Sequence, residues 1–457
     1  MFRRRNLSRT FQAMKRRTRS SAPSPPRKRQ ASTTKRTATG NLPSDIITIS
    51  EQHARYLRLQ GSHLINPKLS GSVGDMVKVA ADLFGIQAQE TASGFVSIWQ
   101  RLLRGGARCR CNKAQKDPLT LSELQGVIKN GEGLIRIWGQ RCTLHIYDRK
   151  DWDIVIGAVG EAVIANRVAS VKAGRVTGKD ASAELDAARE DLLSILSAGR
   201  CATRKDLEAC GHNGKLQYST FMCATMEGHG ARIDVDSGNP VMAPRSRVVT
   251  EEELLCMKVE QKDALVEVAR RYFKAYGPAT EGDFRYWMSL SAGPSRAAVQ
   301  ALLEANEIVK VHLEPAEETF AVLPSRKTKV QEYYVTSETA VLLEQPVPPP
   351  SEWPVYLLFR FDPLLLAHAD KSFWIRPDLK SKIWTVNGII NPTILIEGRI
   401  AGTWSYTKSL PNQMEFVMTR FPDGVFFTDA IKSALEAQAT EFAAFFGSMV
   451  LDVIYVD

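Results

Sequence analysis

One pattern occurs three times along the chain and limits what it can fold into. Thr120-Leu-Ser-Glu123-Leu124, Thr203-Arg-Lys-Asp206-Leu207 and Thr280-Glu-Gly-Asp283-Phe284 each read threonine, two residues, an acid and an apolar residue. This is the chemistry of a helix N-terminus: the hydroxyl accepts from an early backbone N–H, and the acid sits at the positive end of the helix dipole. The copies begin 83 and 77 residues apart, a spacing that suits one small domain each.

The surroundings give the repeat an architecture. Before the third copy, residues 261–275 read as a helix reaching the turn Tyr276-Gly277-Pro278, and Gly293-Pro294-Ser295 introduces a further helix with Ala298, Leu302 and Leu303 on one face. Ile308 to Leu313 alternates as a strand, 315–318 turn, and 319–323 is expected to return. Three helices followed by a hairpin make a winged helix. The second copy has a helix at 181–197 and a wing near 231–235. The first leads into two strands, 134–138 and 143–147, joined by 139–142. Three related units are therefore expected in tandem.

Beyond Ser325 the character changes. A proline-rich connector at 345–351 precedes strands expected at 354–361, 392–396, 400–406, 414–420 and 449–456, with a long amphipathic helix at 427–446. This reads as an α+β module with a partly closed sheet. The expected units are a disordered basic tail (1–44), three winged helices (45–160, 161–250 and 251–325) and the C-terminal module (326–457).

Charge is concentrated at one end. Residues 1–44 hold thirteen Lys or Arg and no acid, leaving 47 basic against 50 acidic residues elsewhere, a net charge of −3. The formal +10 of the chain thus belongs to the tail and says little about what the rest binds. Lys15-Arg16-Arg17 and Arg27-Lys28-Arg29 resemble a bipartite nuclear signal. The same composition suits a mitochondrial presequence or a merely solubilising tail. Seven cysteines without a CxxC pair argue against a disulfide framework, and neither Cys109 and Cys111 nor Cys201, Cys210 and His212 has zinc-finger spacing. No metal is expected. No apolar run approaches the roughly 20 residues that cross a bilayer, so no membrane partner is expected either.

Several short motifs, in order, resemble a known family. They are Ala54 to Gly61, Gly85-Ile86-Gln87-Ala88-Gln89, Arg136-Ile137-Trp138, Arg141-Cys142-Thr143-Leu144-His145, Phe284 to Leu290, Phe361-Asp362-Pro363 with His368, and Asn387-Gly388 through Pro392-Thr393 to Thr403-Trp404. Together they are similar to the winged-helix DNA-binding proteins that include the AlkZ and YcaQ DNA glycosylases. Cys142 stands where the family usually has glycine. The stretch between Leu103 and Leu119 is longer than expected, and from Thr91 to Lys116 the chain carries Arg101, Arg104, Arg108, Arg110, Lys113 and Lys116 with no acid. It is either a solvated loop or a surface laid on phosphates.

The resemblance assigns Gln87 and Gln89 the catalytic role. In an extended chain they face the same side, whereas in a helix they would diverge by about 200°. Two carboxamides can hold a water but are no bases at neutral pH, so they suit a bond already poised to break. A purine alkylated at N7 is cationic and departs as a neutral base. YcaQ-like members have Asp at the second position, so Gln89 places this chain nearer AlkZ. The bland reading is a pair of amides bonding backbone in a turn. Arg136, Arg141, Thr143 and His145 are candidate DNA contacts beside the basic stretch, although His145 also suits a structural role. Trp138, Trp287, Trp384 and Trp404 sit among apolar neighbours and read as core, and Asp362 reads as a cap.

The resemblance implies a monofunctional glycosylase without a cofactor, acting as a monomer on alkylated or crosslinked double-stranded DNA. An open channel suits large adducts better than a closed extrusion pocket does. The alternatives are a non-enzymatic transcription or chromatin factor and a scaffold that binds protein.

Overall fold

Each of the three threonines begins a helix. A computed structural model describes residues 47–65, 71–102, 119–234, 239–254, 259–314, 331–422 and 424–457. Thr120, Thr203 and Thr280 cap the helices Leu121–Lys129, Arg204–Ala209 and Glu281–Met288. In every copy the acid three residues on accepts the threonine's own backbone N–H, closing a capping box.

The described chain opens on β1 (Ile47–Ile49) and the helix Glu51–Gly61. The helix Val73–Asp82, β2 (Ile86–Gln87), the helices Thr91–Trp99 and Leu121–Lys129, β3 (Leu134–Trp138) and β4 (Leu144–Asp148) follow. Next come the helix Ser182–Ser197, β5 (Ala202–Thr203), the helices Arg204–Ala209 and Gln217–Met226, β6 (Gly230–Arg232) and β7 (Val241–Pro244). The third group is the helices Gln261–Tyr276, Glu281–Met288 and Ala292–Glu304, with β8 (Ile308–Leu313) and β9 (Tyr333–Thr336). Residues 319–323, expected to return on β8, lie outside the described residues; the strand paired antiparallel to β8 is β9.

The sheets tie these groups together. Strands of the first two groups form one six-stranded sheet in the order β2-β4-β3-β6-β7-β5, joined where Arg136 of β3 faces Arg232 of β6. β1 lies parallel to β8, so the start of the described chain completes the third group's sheet. The C-terminal sheet runs β10 (Tyr356–Leu358), β11 (Thr393–Ile396), β12 (Arg399–Leu410), β13 (Gln413–Arg420) and β14 (Met449–Val456) in sequence order. Among the described residues it is open, not partly closed as expected: β10 pairs only with β11, and β14 adds parallel to β13 at the far edge. The helix Asp429–Phe445 covers one face, seating Phe442 edge-on against Trp404 at 5.0 Å. The architecture is α+β.

Trp138, Trp287 and Trp404 are buried, as their apolar neighbours suggest, and one apolar cluster runs through all three groups into the C-terminal sheet. The helical stretch Arg149–Lys172 is, by length and composition, long and apolar enough to cross a bilayer, contrary to the expectation that no such run exists. Two of its acids and its tryptophan are engaged within the protein. Asp151 pairs with Arg271 at 2.7 Å, Asp153 pairs with Arg245 at 2.7 Å, and the Trp152 indole donates to Thr225 O.

Candidate active site

Backbone geometry delivers the two glutamines. The helix Val73–Asp82 ends through Phe84 and Gly85, both in the left-handed region at φ 46° and 90°. A Cβ on Gly85 would stand 2.3 Å from the Tyr147 ring, so the position admits only glycine. The chain leaves this stop extended: Ile86 pairs with Ile146, Gln87 with His145, and the Ala88 N–H donates to Leu144 O at 2.8 Å. The element therefore lies at the edge of the six-stranded sheet, with Ala88 buried.

The two amides differ in surroundings. Gln87 is 9% exposed, and its Oε1 is shielded from solvent and without a partner among the described residues. Gln89 is exposed, and its Oε1 accepts from the Leu144 N–H at 3.1 Å. Directly opposed residues in an antiparallel pair share a face, which sets His145 beside Gln87. His145 is buried, with Nδ1 2.9 Å from Thr143 O and Nε2 without a partner. Burial, reinforced by the nearby Arg141 charge, pushes its pKa down to about 3, so the ring is neutral. His145 lies inside the sheet and not on the surface, which corrects its expected place as a direct DNA contact.

Arg141 lies in the tight β3–β4 turn with φ 57°. Cys142 follows at φ 56°, a conformation that favours glycine. The Arg141 Nη2 is shielded and unpartnered, and burial lowers the guanidinium pKa. Thr143 is half-buried, its hydroxyl donating to Gln140 O at 3.3 Å.

Two other expected DNA contacts are also corrected. Arg101 is fully buried in a two-pronged ion pair with Asp362 at 2.8 Å and also donates to the Ser62 and Ser97 carbonyls. Asp362 meanwhile caps the helix Pro363–Leu366, as expected. Arg136 is buried, paired with Asp234 at 3.0 Å, and its Nε donates to Ala88 O at 3.1 Å. It braces the glutamine ribbon from inside. Both guanidiniums are spent on the protein itself. Arg104, Arg108, Arg110, Lys113 and Lys116 lie outside the described residues.

A groove of about 410 Å³ lies against the C-terminal sheet, and Glu90 reaches it from the other side. Glu90, next to Gln89, lines it with Arg360, Asn391, Ser405, Tyr406 and Thr419. Glu90 and Arg360 approach to 3.6 Å across it. Sequence reasoning missed this groove, because its two walls lie about 270 residues apart. It also missed Lys371, a buried lysine whose Nζ donates to Leu365 O at 2.8 Å and to His368 O. Among the described residues no group of three His, Cys, Asp or Glu side chains is placed to hold a metal.

The family described as DNA glycosylase AlkZ-like matches residues 80–445. The chain belongs to the AlkZ-like DNA glycosylase family. The match takes in the glutamine ribbon, the β3–β4 turn and the groove. Among curated proteins, this AlkZ-like chain is similar to the interstrand DNA cross-link repair glycosylase of Streptomyces sahachiroi, 28% identical over 167 residues. That alignment covers 36% of this chain and spans 38% of the relative's length. Among solved structures, the Streptomyces sahachiroi DNA glycosylase AlkZ superposes with a TM-score of 0.67 at 19% identity, over 90% of this chain and 100% of that one. The AlkZ fold therefore extends through nearly the whole molecule.

Proposed function

We propose that the chain is a monofunctional DNA glycosylase that hydrolyses the N-glycosidic bond of N7-alkylated purines in duplex DNA. Its substrates include bulky adducts and interstrand crosslinks, and Gln87 and Gln89 position the attacking water. The observation that carries this reading is the buried, unpartnered Oε1 of Gln87 beside an exposed Gln89 on one extended ribbon. A buried acceptor without a donor is costly, and a water donating to it removes that cost. The crosslink substrate rests on the name of the Streptomyces relative.

The chemistry balances without a strong base. The bond from C1′ to the purine nitrogen breaks, and its electron pair neutralises the cationic ring. Water forms the new bond to C1′ and releases a proton to solvent. The amides accept the water's hydrogens and orient its lone pair, which supplies positioning and not proton abstraction. No neutral side chain beside Gln87 is needed as a base, in keeping with a His145 that titrates near 3. The groove beside Glu90 gives the alkyl arm of an adduct room outside the reacting centre.

Incubating the full chain in excess over a duplex with one N7-alkylguanine, and assaying for abasic sites, tests the reading. Time-dependent abasic sites from methyl and crosslinked substrates are expected. Folded protein that binds the duplex and forms none would instead indicate a non-enzymatic DNA-binding protein.

A further inference from the structure

The β3–β4 turn faces a second set of groups that neither the glutamines nor the core uses. Lys371 is 4% exposed and holds two carbonyls, leaving one of its three N–H groups free. Its Nζ lies 5.1 Å from the centre of the Tyr286 ring and 5.4 Å from that of Trp384. Arg141 is close enough to Lys371 to disfavour its charge, and Lys380 adds to that effect. The acids that face Lys371 are Asp283 and Asp370. Asp283 is committed to Thr280 and the Ala369 N–H, and Asp370 to Ser372. Among the described residues neither Arg141 nor Lys371 forms an ion pair.

Unused donors thus lie around the Tyr286 and Trp384 rings from three parts of the chain. Arg141 Nη2 comes from the turn, Lys371 Nζ from the loop after His368, and the Trp384 indole Nε1, also buried and without a partner, from further along that loop. A buried lysine and a half-buried arginine without a counter-charge are unstable neighbours, and an anion that accepts from both offsets the repulsion and the lost hydration. We propose that this pocket binds a phosphate group through Arg141, Lys371 and the Trp384 indole, behind the rings of Tyr286 and Trp384. The donors do not meet solvent in this structure, so the anion must displace a ring. Tyr286, 43% exposed, is placed to turn outward.

The location suggests what the phosphate does. Arg141 and His145 belong to the turn and strand that pair with the glutamine ribbon, so a phosphate held there fixes the sugar chain beside Gln87. This part rests on the glycosylase reading; the pocket itself does not. Phosphate chemistry arrives either as a DNA phosphodiester or as free inorganic phosphate, and the test separates them.

The full chain is titrated with duplexes containing a tetrahydrofuran abasic analogue and a single neutral methylphosphonate, moved through each flanking position. One position is expected to weaken wild-type binding about tenfold and to have no further effect on Arg141→Gln or Lys371→Met. Lys371→Arg should restore the wild-type profile, which separates charge from folding. If the pocket takes free phosphate, inorganic phosphate at millimolar concentration raises the melting temperature of the wild type but not of Arg141→Gln. Identical methylphosphonate profiles in wild type and variants, with no phosphate-dependent melting shift, overturn the proposal. Binding is the readout, so loss of cleavage with an intact profile counts against the glutamine reading and not against this one.

Discussion

Gln87 stands directly opposite His145 in the β2–β4 register, and each ends in a buried polar atom without a partner. The pairing sets a neutral histidine behind the proposed water site. Its pKa of about 3 lies below that of the unfolded chain, so the unfolded state binds the extra proton between about pH 6.5 and 3. Stability therefore falls as pH drops through that window, and His368, also lowered to about 3, adds to the trend. His145→Gln should lose less melting temperature than wild type between pH 7 and 5. Equal losses would mean that His145 is not held neutral.

The Arg101–Asp362 pair ties the first group of helices to the C-terminal module with neither side chain exposed. Removing one partner strands a buried charge, at a cost of about 3–5 kcal/mol. Asp362→Ala should show that loss in urea unfolding while leaving the salt slope of DNA binding unchanged. A flatter salt slope would return Arg101 to the DNA surface.

Gly85→Ala places a methyl group against the Tyr147 ring and forces a left-handed backbone on alanine. Overpacking and strain together should cost at least about 2 kcal/mol. Because the ribbon starts here, cleavage should fall further than stability explains, read as single-turnover rate on protein that circular dichroism shows to be folded.

Burial and the neighbouring Arg141 charge bring the Lys371 pKa down to about 7, with Lys380 adding to this and Asp283 and Asp370 opposing it. The unfolded chain keeps that proton up to about pH 10.5, so stability should rise as pH climbs from 7 towards 10. Lys371→Met should flatten the rise in thermal melts. An unchanged profile would show that Lys371 keeps its charge in the folded state.

What the sequence disclosed was local. The threonine capping boxes, the Gly85 stop and the β3–β4 turn each depend on residues a few positions apart, and each is found where expected. Contacts between distant segments were not visible. Arg101 looked like the start of a basic loop until Asp362, 261 residues away, closed on it. Arg136 looked like a surface cation, yet it holds the Ala88 carbonyl. In Asp370-Lys371-Ser372 nothing marks the lysine as buried, because its partners are backbone carbonyls and aromatic rings. The C-terminal strands were readable from alternation, but closure depends on which edges meet, and β10 and β14 do not.

The central claim is that Gln87 and Gln89 position water, and it is tested by separating cleavage from binding. Single-turnover rates and duplex affinities are measured for wild type, Gln87→Ala and Gln89→Ala on one N7-alkylated duplex. Rates lower by about 10²-fold are expected, from lost positioning, with affinity changed less than about threefold. Wild-type rates in both variants would contradict it.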